Sequence, residues 1–372
     1  MKDIRVLLIA PGPRHSTYDV YQNYAAALGE TDGIELFTFP YHNILDWHKS
    51  SQIVLTPDVD DERMDAIALS RASRELLGDL VYYNPDIAFI IAGTAYPIDL
   101  YKKIKEVQHN LKDKFALGVY FTESPYLDEI QEKYLPLMDF VFTNELTSVE
   151  RFDPSGTKYV TYLPHSYNPL VHNTDVTYSD VSKYEREVFF CGTPFYERGE
   201  LLSGVNWNGI DLALSGLWKD YVSDEHYDAL GKYVFLDSTL PNEEVSKYYR
   251  HSRCSINIHR TRGDINGDGE EIDNHSIYST GPRIFEVVAS GGFLVTDYRK
   301  EIVDIFGDSV LYFENSEELE QRVRQVLNMD DETYNNMKAD AQARVQSCTF
   351  ENRVENIIVP NFKEIVDIKR RL

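Results

Sequence analysis

Apolar residues first cluster at 4–10 (IRVLLIA), where they follow one another without the polar alternation of a half-exposed strand. Similar runs return at 34–39, 87–92, 115–121, 140–143 and 159–163. Short runs that are apolar on both sides predict strands of a parallel sheet covered on both faces. The stretches between them at 20–29, 61–83 and 97–109 read as helices. Asn84-Pro85 stops the second helix, and Pro97 suits the first position of the third. A second series follows, with strands at 188–191, 210–214, 233–236, 254–259 and 293–296. Its helices are expected at 242–251, 282–290, 317–327 and 331–347, and a last helical stretch at 351–372.

Between the two series, residues 168–187 have few aliphatic side chains and many Asp, Ser and Thr. This composition predicts a connection between domains. The expected organisation is therefore a domain at 1–167, a linker at 168–187, a domain at 188–350 and a C-terminal helix packing back on the first domain. Open α/β sheets bind ligands at the carboxyl ends of their strands. In the first series these ends are 11–16, 93–96, 122–126 and Asn144.

A length of 372 residues suits two domains, and 42% hydrophobic content supplies cores for both. The net charge of −24 argues against a surface built mainly for nucleic acid or anionic lipid. Any phosphate site has to be assembled locally from a few arginines and helix N-termini. Cys191, Cys254 and Cys348 are widely spaced and form no CxxC pair, so neither a zinc knuckle nor a disulfide framework is suggested. A reducing, cytoplasmic setting is expected, and no apolar run is long enough to span a membrane. The sequence has no GxSxG elbow, no P-loop and no GxGxxG after the first strand. Their absence argues against a serine hydrolase, a P-loop nucleotidase and a dehydrogenase.

The most informative run is 282–297, PRIFEVVASGGFLVTD. Pro282 fits a first helical turn, Glu286 lies one turn in, and Ala289 to Gly292 permit a tight turn into the next strand. This run resembles the donor-nucleotide segment of GT-B glycosyltransferases, in particular the CgeB-like spore-maturation group. The resemblance implies that Glu286 accepts the two ribose hydroxyls of a nucleotide sugar, which a carboxylate can do. Taken alone, Glu286 also suits a helix N-terminus, where it favours the dipole.

Three further segments resemble the same family in the expected order. Residues 188–198 (VFFCGTPFYER) resemble its first C-terminal strand and loop. This places Gly192 and Thr193 against a diphosphate, with Arg198 as its basic partner; the plain alternative is a surface Arg beside Glu197. Residues 233–249 resemble the strand, turn and helix that hold the base, read by backbone groups around Phe235 and Leu236. Residues 254–259 resemble the strand before the donor-sugar loop, with His259 either in that site or a satisfied core histidine. Arg283 is a further candidate for the diphosphate.

The family often carries a second Glu eight residues before the ribose Glu, and here that position is Tyr278. Asp273, His275 and Ser276 are nearby candidates for the donor-sugar loop, and the stereochemical outcome stays open. Residues 264–270 (DINGDGE) match the first half of a calcium loop, but His275 stands at the twelfth position, where Glu is required. No metal or other cofactor is expected, because in this family arginines and helix dipoles neutralise the leaving diphosphate.

His15, after the first strand, is a candidate general base, since an imidazole titrates near neutrality. Glu123, after the 115–121 strand, is its rival. His165 stands at the hinge, and Arg14, Lys102, Lys103 and Lys105 form a candidate basic acceptor groove.

The expected fold is α/β, of the GT-B type: two Rossmann-like αβα domains facing across a cleft. The expected activity moves a hexose, best read as glucose from UDP-glucose, from a nucleotide-sugar donor to a hydroxyl. A polysaccharide, a protein, a small molecule and a hydroxylated DNA base are all open as acceptors. The alternatives are a non-catalytic nucleotide-sugar-binding protein and a sugar-nucleotide epimerase on the same fold.

Overall fold

A computed structural model describes residues 3–12, 17–55, 60–112, 114–156, 159–173, 180–263 and 270–369. The chain divides into two compact units, Met1–Pro164 with Phe350–Leu372, and His165–Thr349. The first unit holds β1 (Ile4–Ile9), β2 (Ile34–Phe39), β3 (Ile87–Ile91), β4 (Ala116–Phe121), β5 (Phe140–Thr143) and β6 (Tyr159–Tyr162). They form one sheet in the order β2-β1-β3-β4-β5-β6, with every pair parallel. The second unit holds β7 (Val188–Cys191), β8 (Leu212–Ser215), β9 (Val234–Leu236), β10 (Cys254–Asn257), β11 (Leu294–Asp297) and β12 (Leu311–Phe313). Their order is β12-β11-β10-β7-β8-β9, again all parallel.

The continuous apolar runs have a direct cause in the two-sided cover. Along β1, Ile4, Val6, Leu8 and Ala10 enter one core while Leu7 and Ile9 enter another. The first core is closed by the helix Thr17–Gly29 and by the chain's C-terminal end, through Phe350, Val354, Ile358 and Phe362. Phe362 is fully buried, with its ring 5.5 Å from Phe89 and 5.7 Å from Phe140. Burying a side chain of this size is worth roughly 1.5–3 kcal/mol. The second core is closed by the helices Asp61–Tyr83 and Ile98–Asn110. Asp60 caps the first of these by accepting from the Arg63 amide, and Asn84 ends it in the left-handed region.

Some elements depart from the expected pattern. The helix Tyr41–Leu55 has no counterpart in the sequence reading, because the side chains it buries include His42, His48 and Gln52. β12 and the helix Lys300–Phe306 were likewise not expected. The C-terminal stretch is not one regular helix: Phe350–Arg353 passes through a wide π-turn at Val354–Ile358 before Val359–Lys369. Pro360 has no N–H to donate, and the wide turn immediately precedes it.

One carboxylate ties that last helix to the first sheet. Asp139 accepts from the Leu117 amide at 2.8 Å and from the Gln108 side chain at 2.6 Å. Lys105 and Lys369 each approach it at 3.2 Å. Burial alone would raise its pKa, but the Leu117 amide and the Lys369 and Lys105 ammonium groups outweigh burial and hold it below the usual carboxylate range. A lowered carboxyl stabilises the fold above its unfolded pKa of about 4, and that stabilisation is lost as pH falls through the folded value. We expect Asp139→Asn to cost about 1.5–3 kcal/mol at pH 7 by urea titration. The variant's deficit should shrink below pH 4; a deficit independent of pH would contradict this account.

Candidate functional site

In the second unit the chain runs from β7 outward to β8 and β9, then returns to place β10 on the other side of β7. The order reverses between β7 and β10, and the crevice beyond such a reversal is where open α/β sheets take ligands. The loops leaving those two strands begin at Gly192-Thr193 and Ile258-His259. Gly192 leaves room for a side chain here: a Cβ would stand 2.4 Å from the terminal nitrogen of Arg283, whose end would have to shift. Gly216, after β8, has φ +143°, and a Cβ there would meet the Gly192 carbonyl at 2.3 Å.

Three guanidinium groups converge at this end of the sheet. Arg198 is buried, donating from Nε to the Ile258 carbonyl at 2.8 Å and from Nη1 to the Thr193 carbonyl at 2.6 Å. It is not a surface residue beside Glu197; Glu197 instead accepts from the Thr261 amide at 2.6 Å. Arg283 donates to Asn257 at 3.1 Å. The Phe190 ring lies 5.8 Å from Arg198 and 5.4 Å from Arg283, and the Phe195 ring 5.0 Å from Arg198 and 5.5 Å from Arg260. Such aromatic faces favour cations. Burial pulls the Arg198 pKa down to about 9, and Arg283 adds to the fall. The group stays protonated at neutral pH. A buried cation lowered by a second cation is a place where an anion is favoured.

The neighbouring joint is built on His259. Its Nδ1 is 2.6 Å from Asp297, and its Nε2 is 2.9 Å from the Thr280 hydroxyl and accepts from the Gly281 amide at 3.3 Å. Nε2 is therefore an acceptor, and Nδ1 carries the proton toward Asp297. The His259 amide also donates to Asp297 at 2.9 Å. Burial lowers the His259 pKa despite Asp297. For Asp297, burial acts upward but is outweighed by His259 and Arg299, so the carboxyl stays below its ordinary value. His259 is thus a satisfied interior histidine that ties the ends of β10 and β11 to the start of the helix Pro282–Ala289.

That helix presents Arg283 and Glu286 three residues apart, with Ser290 on the same face just beyond it. Ile284, Phe285, Val287 and Val288 are buried, whereas the Glu286 side chain keeps 21% exposure. His172 Nε2 stands 3.9 Å from Glu286 Oε1. Phe235 is 39% exposed at β9, with its ring 5.2 Å from Tyr248, and the Leu236 carbonyl accepts from the Gly216 amide at 3.3 Å.

The donor-sugar candidates are spent locally. Asp273 accepts from the His275 amide, His275 lies 3.5 Å from Glu314, and Tyr278 donates to Asp304 at 3.1 Å. In the first unit Glu123 follows β4, and Asn144 clamps the adjacent Ser124 backbone through two 3.0 Å bonds. His15 and residues 264–269 lie outside the described residues, so the His15 base reading and the 264–270 loop have no geometry. Among the described residues no group of three His, Cys, Asp or Glu side chains could hold a metal ion. Arg260, Asn257, Asp297 and His172 were missed in the sequence, because each sits singly at a strand end or in a loop.

Comparison with known proteins defines the class. Residues 198–358 match the family described as glycosyl transferase-like. The spore protein CgeB of Bacillus subtilis (strain 168) is 24% identical over 230 residues, which cover 60% of this chain and 67% of that protein. The sucrose-phosphate synthase of Thermosynechococcus elongatus superposes with a TM-score of 0.65 at 12% identity, covering 97% of this chain and 100% of that one. An alpha,alpha-trehalose-phosphate synthase (UDP-forming) from Burkholderia vietnamiensis gives 0.59 at 10% identity, covering 98% of each chain. The fold is GT-B, and the protein is a glycosyltransferase. The segment that matches the glycosyl transferase-like family, residues 198–358, contains Arg198, Arg260, Arg283 and Glu286.

The His259 joint makes a stability prediction. Asp297→Asn should cost about 1.5–3 kcal/mol in urea, the worth of a buried hydrogen bond to a charged group. A lowered histidine pKa stabilises the fold above the unfolded value of about 6.5 and loses that stabilisation as pH falls toward the folded value. The melting temperature should therefore fall between pH 7 and pH 5, with a flatter slope in His259→Asn. An equal slope in both proteins would contradict the assignment.

Proposed function

We propose that the protein transfers a hexose from a nucleoside-diphosphate sugar to a hydroxyl acceptor, with UDP-glucose or another UDP-hexose as donor. The observation that carries this reading is the convergence of Arg198, Arg260 and Arg283 beside Glu286 at the β7–β10 reversal, in a chain of net charge −24. The UDP preference is supported by the UDP-forming synthase among the structural neighbours.

In the reaction the bond between the anomeric carbon and the diphosphate oxygen breaks, and the diphosphate leaves with the electron pair. The acceptor oxygen bonds the anomeric carbon and gives up its proton. Negative charge grows on the diphosphate as the bond breaks, and charge-assisted bonds from Arg198 and Arg283 strengthen with it. Gly192 lets the backbone come close to the diphosphate, and the Glu286 carboxylate accepts the ribose hydroxyls. Backbone groups around Phe235 and Leu236 read the base. In the first unit Glu123 is the described candidate for the group that takes the acceptor proton.

The first experiment is a thermal-shift panel of nucleotide sugars with nucleoside-diphosphate release followed in parallel. A donor at about 100 times its dissociation constant should add roughly 2.7 kcal/mol of stability. Slow release of UDP from one UDP-hexose supports transfer. Binding without release points to a non-catalytic protein, and an altered sugar without release points to an epimerase. No response to any nucleotide overturns the proposal. Gly192→Ala should push Arg283 aside and weaken donor binding roughly tenfold to a hundredfold, the loss of one charged hydrogen bond. Unchanged donor affinity in that variant would remove Arg283 from the diphosphate site.

A further inference from the structure

Residues 168–172 form a turn that has no place in either sheet. The Leu170 amide donates to the Asn168 side chain at 2.8 Å, and the His172 amide donates to the Asn168 carbonyl at 2.9 Å. This turn delivers the His172 ring, 3% exposed, onto the helix that carries Glu286. His172 Nδ1 is 3.3 Å from the Ser290 hydroxyl, and Ser290 is 3.0 Å from the Ser246 hydroxyl on the helix Asn242–His251. Ser290 is fully buried and Ser246 nearly so. On the other side of the ring, Nε2 faces Glu286 Oε1 at 3.9 Å.

We propose that His172 is a positioning residue that sets the Glu286 carboxylate for the ribose hydroxyls of the donor. The inference rests on the ribose role of Glu286 proposed above. A carboxylate only accepts, so the nitrogen facing it, Nε2, carries the ring proton. Nδ1 is then the acceptor and takes the Ser290 proton, and Ser290 in turn accepts from Ser246. The line Ser246, Ser290, His172, Glu286 thus runs in one donor direction and ends on the carboxylate. Glu286 has a long, rotatable side chain, and holding one oxygen against a fixed N–H removes freedom that nucleotide binding would otherwise have to freeze. A small movement from 3.9 Å makes the contact a charge-assisted hydrogen bond. The other oxygen and the remaining lone pairs stay open to two hydroxyls.

The test compares UDP with 2′-deoxy-UDP by calorimetry on the full chain, for the wild type and four variants. The wild type should favour the ribonucleotide by roughly tenfold, the worth of one charged hydrogen bond. Glu286→Gln should erase most of that preference. His172→Phe should reduce it about threefold or more with the 2′-deoxy affinity unchanged, and His172→Gln, which keeps an N–H, should restore part of it. Ser290→Ala removes only the ring's tether and should fall between the wild type and His172→Phe, which keeps the question answerable if the Phe variant does not fold. A loss of preference in Glu286→Gln with wild-type preference in His172→Phe or, failing that, Ser290→Ala overturns the positioning role alone. A preference unaffected by Glu286→Gln, or no binding of UDP at all, overturns the ribose reading beneath it.

Discussion

Burying the Arg198 guanidinium is the demanding step around which the second unit is arranged. Taking a cation out of water costs several kcal/mol unless acceptors surround it. Here two carbonyls, from Thr193 and Ile258, accept its N–H groups at the ends of the two strands that flank the reversal. The Phe190 and Phe195 rings cover its faces. Those partners fix the group; Glu197 and Asp297 partly offset its charge, while Arg283 and Arg260 add to it. In a chain with 61 acidic against 37 basic residues, three guanidinium groups are gathered at this one end of the sheet. The arrangement is also pre-organised, because the donors are held by backbone groups and need no rearrangement when charge arrives.

The His259–Asp297 joint supplies the rigidity that this arrangement needs. It links β10, β11 and the amide of Gly281 through one ring, so the first turn of the helix at Pro282–Ala289 has a fixed origin. From that origin Arg283, Glu286 and Ser290 emerge on a single face. Glycine does the complementary work. Gly192 leaves the volume that Arg283 occupies, and Gly216 leaves the volume of the Gly192 carbonyl. A methyl group on Gly192 would displace the end of Arg283, and one on Gly216 would displace the Gly192 backbone.

The sequence made the central strands plain because they are buried on both faces. β3 and β7 read as unbroken apolar runs, and β1 and β4 are interrupted only by Arg5 and Gly118. Gly192, Arg198, Arg283 and Glu286 were singled out through the family resemblance, and the structure sets Gly192, Arg198 and Arg283 side by side. The helix Tyr41–Leu55 was not legible, since it buries histidine and glutamine against its partner helix. His48, for instance, is satisfied by Glu75 at 2.6 Å, a pairing no periodicity reveals. Arg260 and His172 were missed for a related reason. Each is one residue in an irregular segment, and its role comes from contacts 20 or more positions away. Asp273, His275 and Tyr278, grouped by proximity in sequence, meet three separate partners: the His275 amide, Glu314 and Asp304.

The two sheets share the same kind of reversal, but the described side chains around the two differ in charge. In the first unit the reversal lies between β1 and β3. There Ala92 and Gly93 both adopt positive φ, and a Cβ on Gly93 would stand 2.7 Å from the Tyr101 hydroxyl. The backbone is pinned by phenols: Tyr96 donates to the Ala10 carbonyl, Tyr101 to Gly93 at 2.6 Å, and Tyr134 to Thr94 at 3.2 Å. Burial pushes the Tyr96 and Tyr101 pKa values far above the ordinary range, so these groups stay neutral. Neutral donors already committed to carbonyls give no attraction for a diphosphate. The same topology therefore carries two chemistries: among the described residues, cations gather at the reversal of the second sheet and neutral phenols at that of the first. Among the described residues, charge rather than fold distinguishes the two reversals.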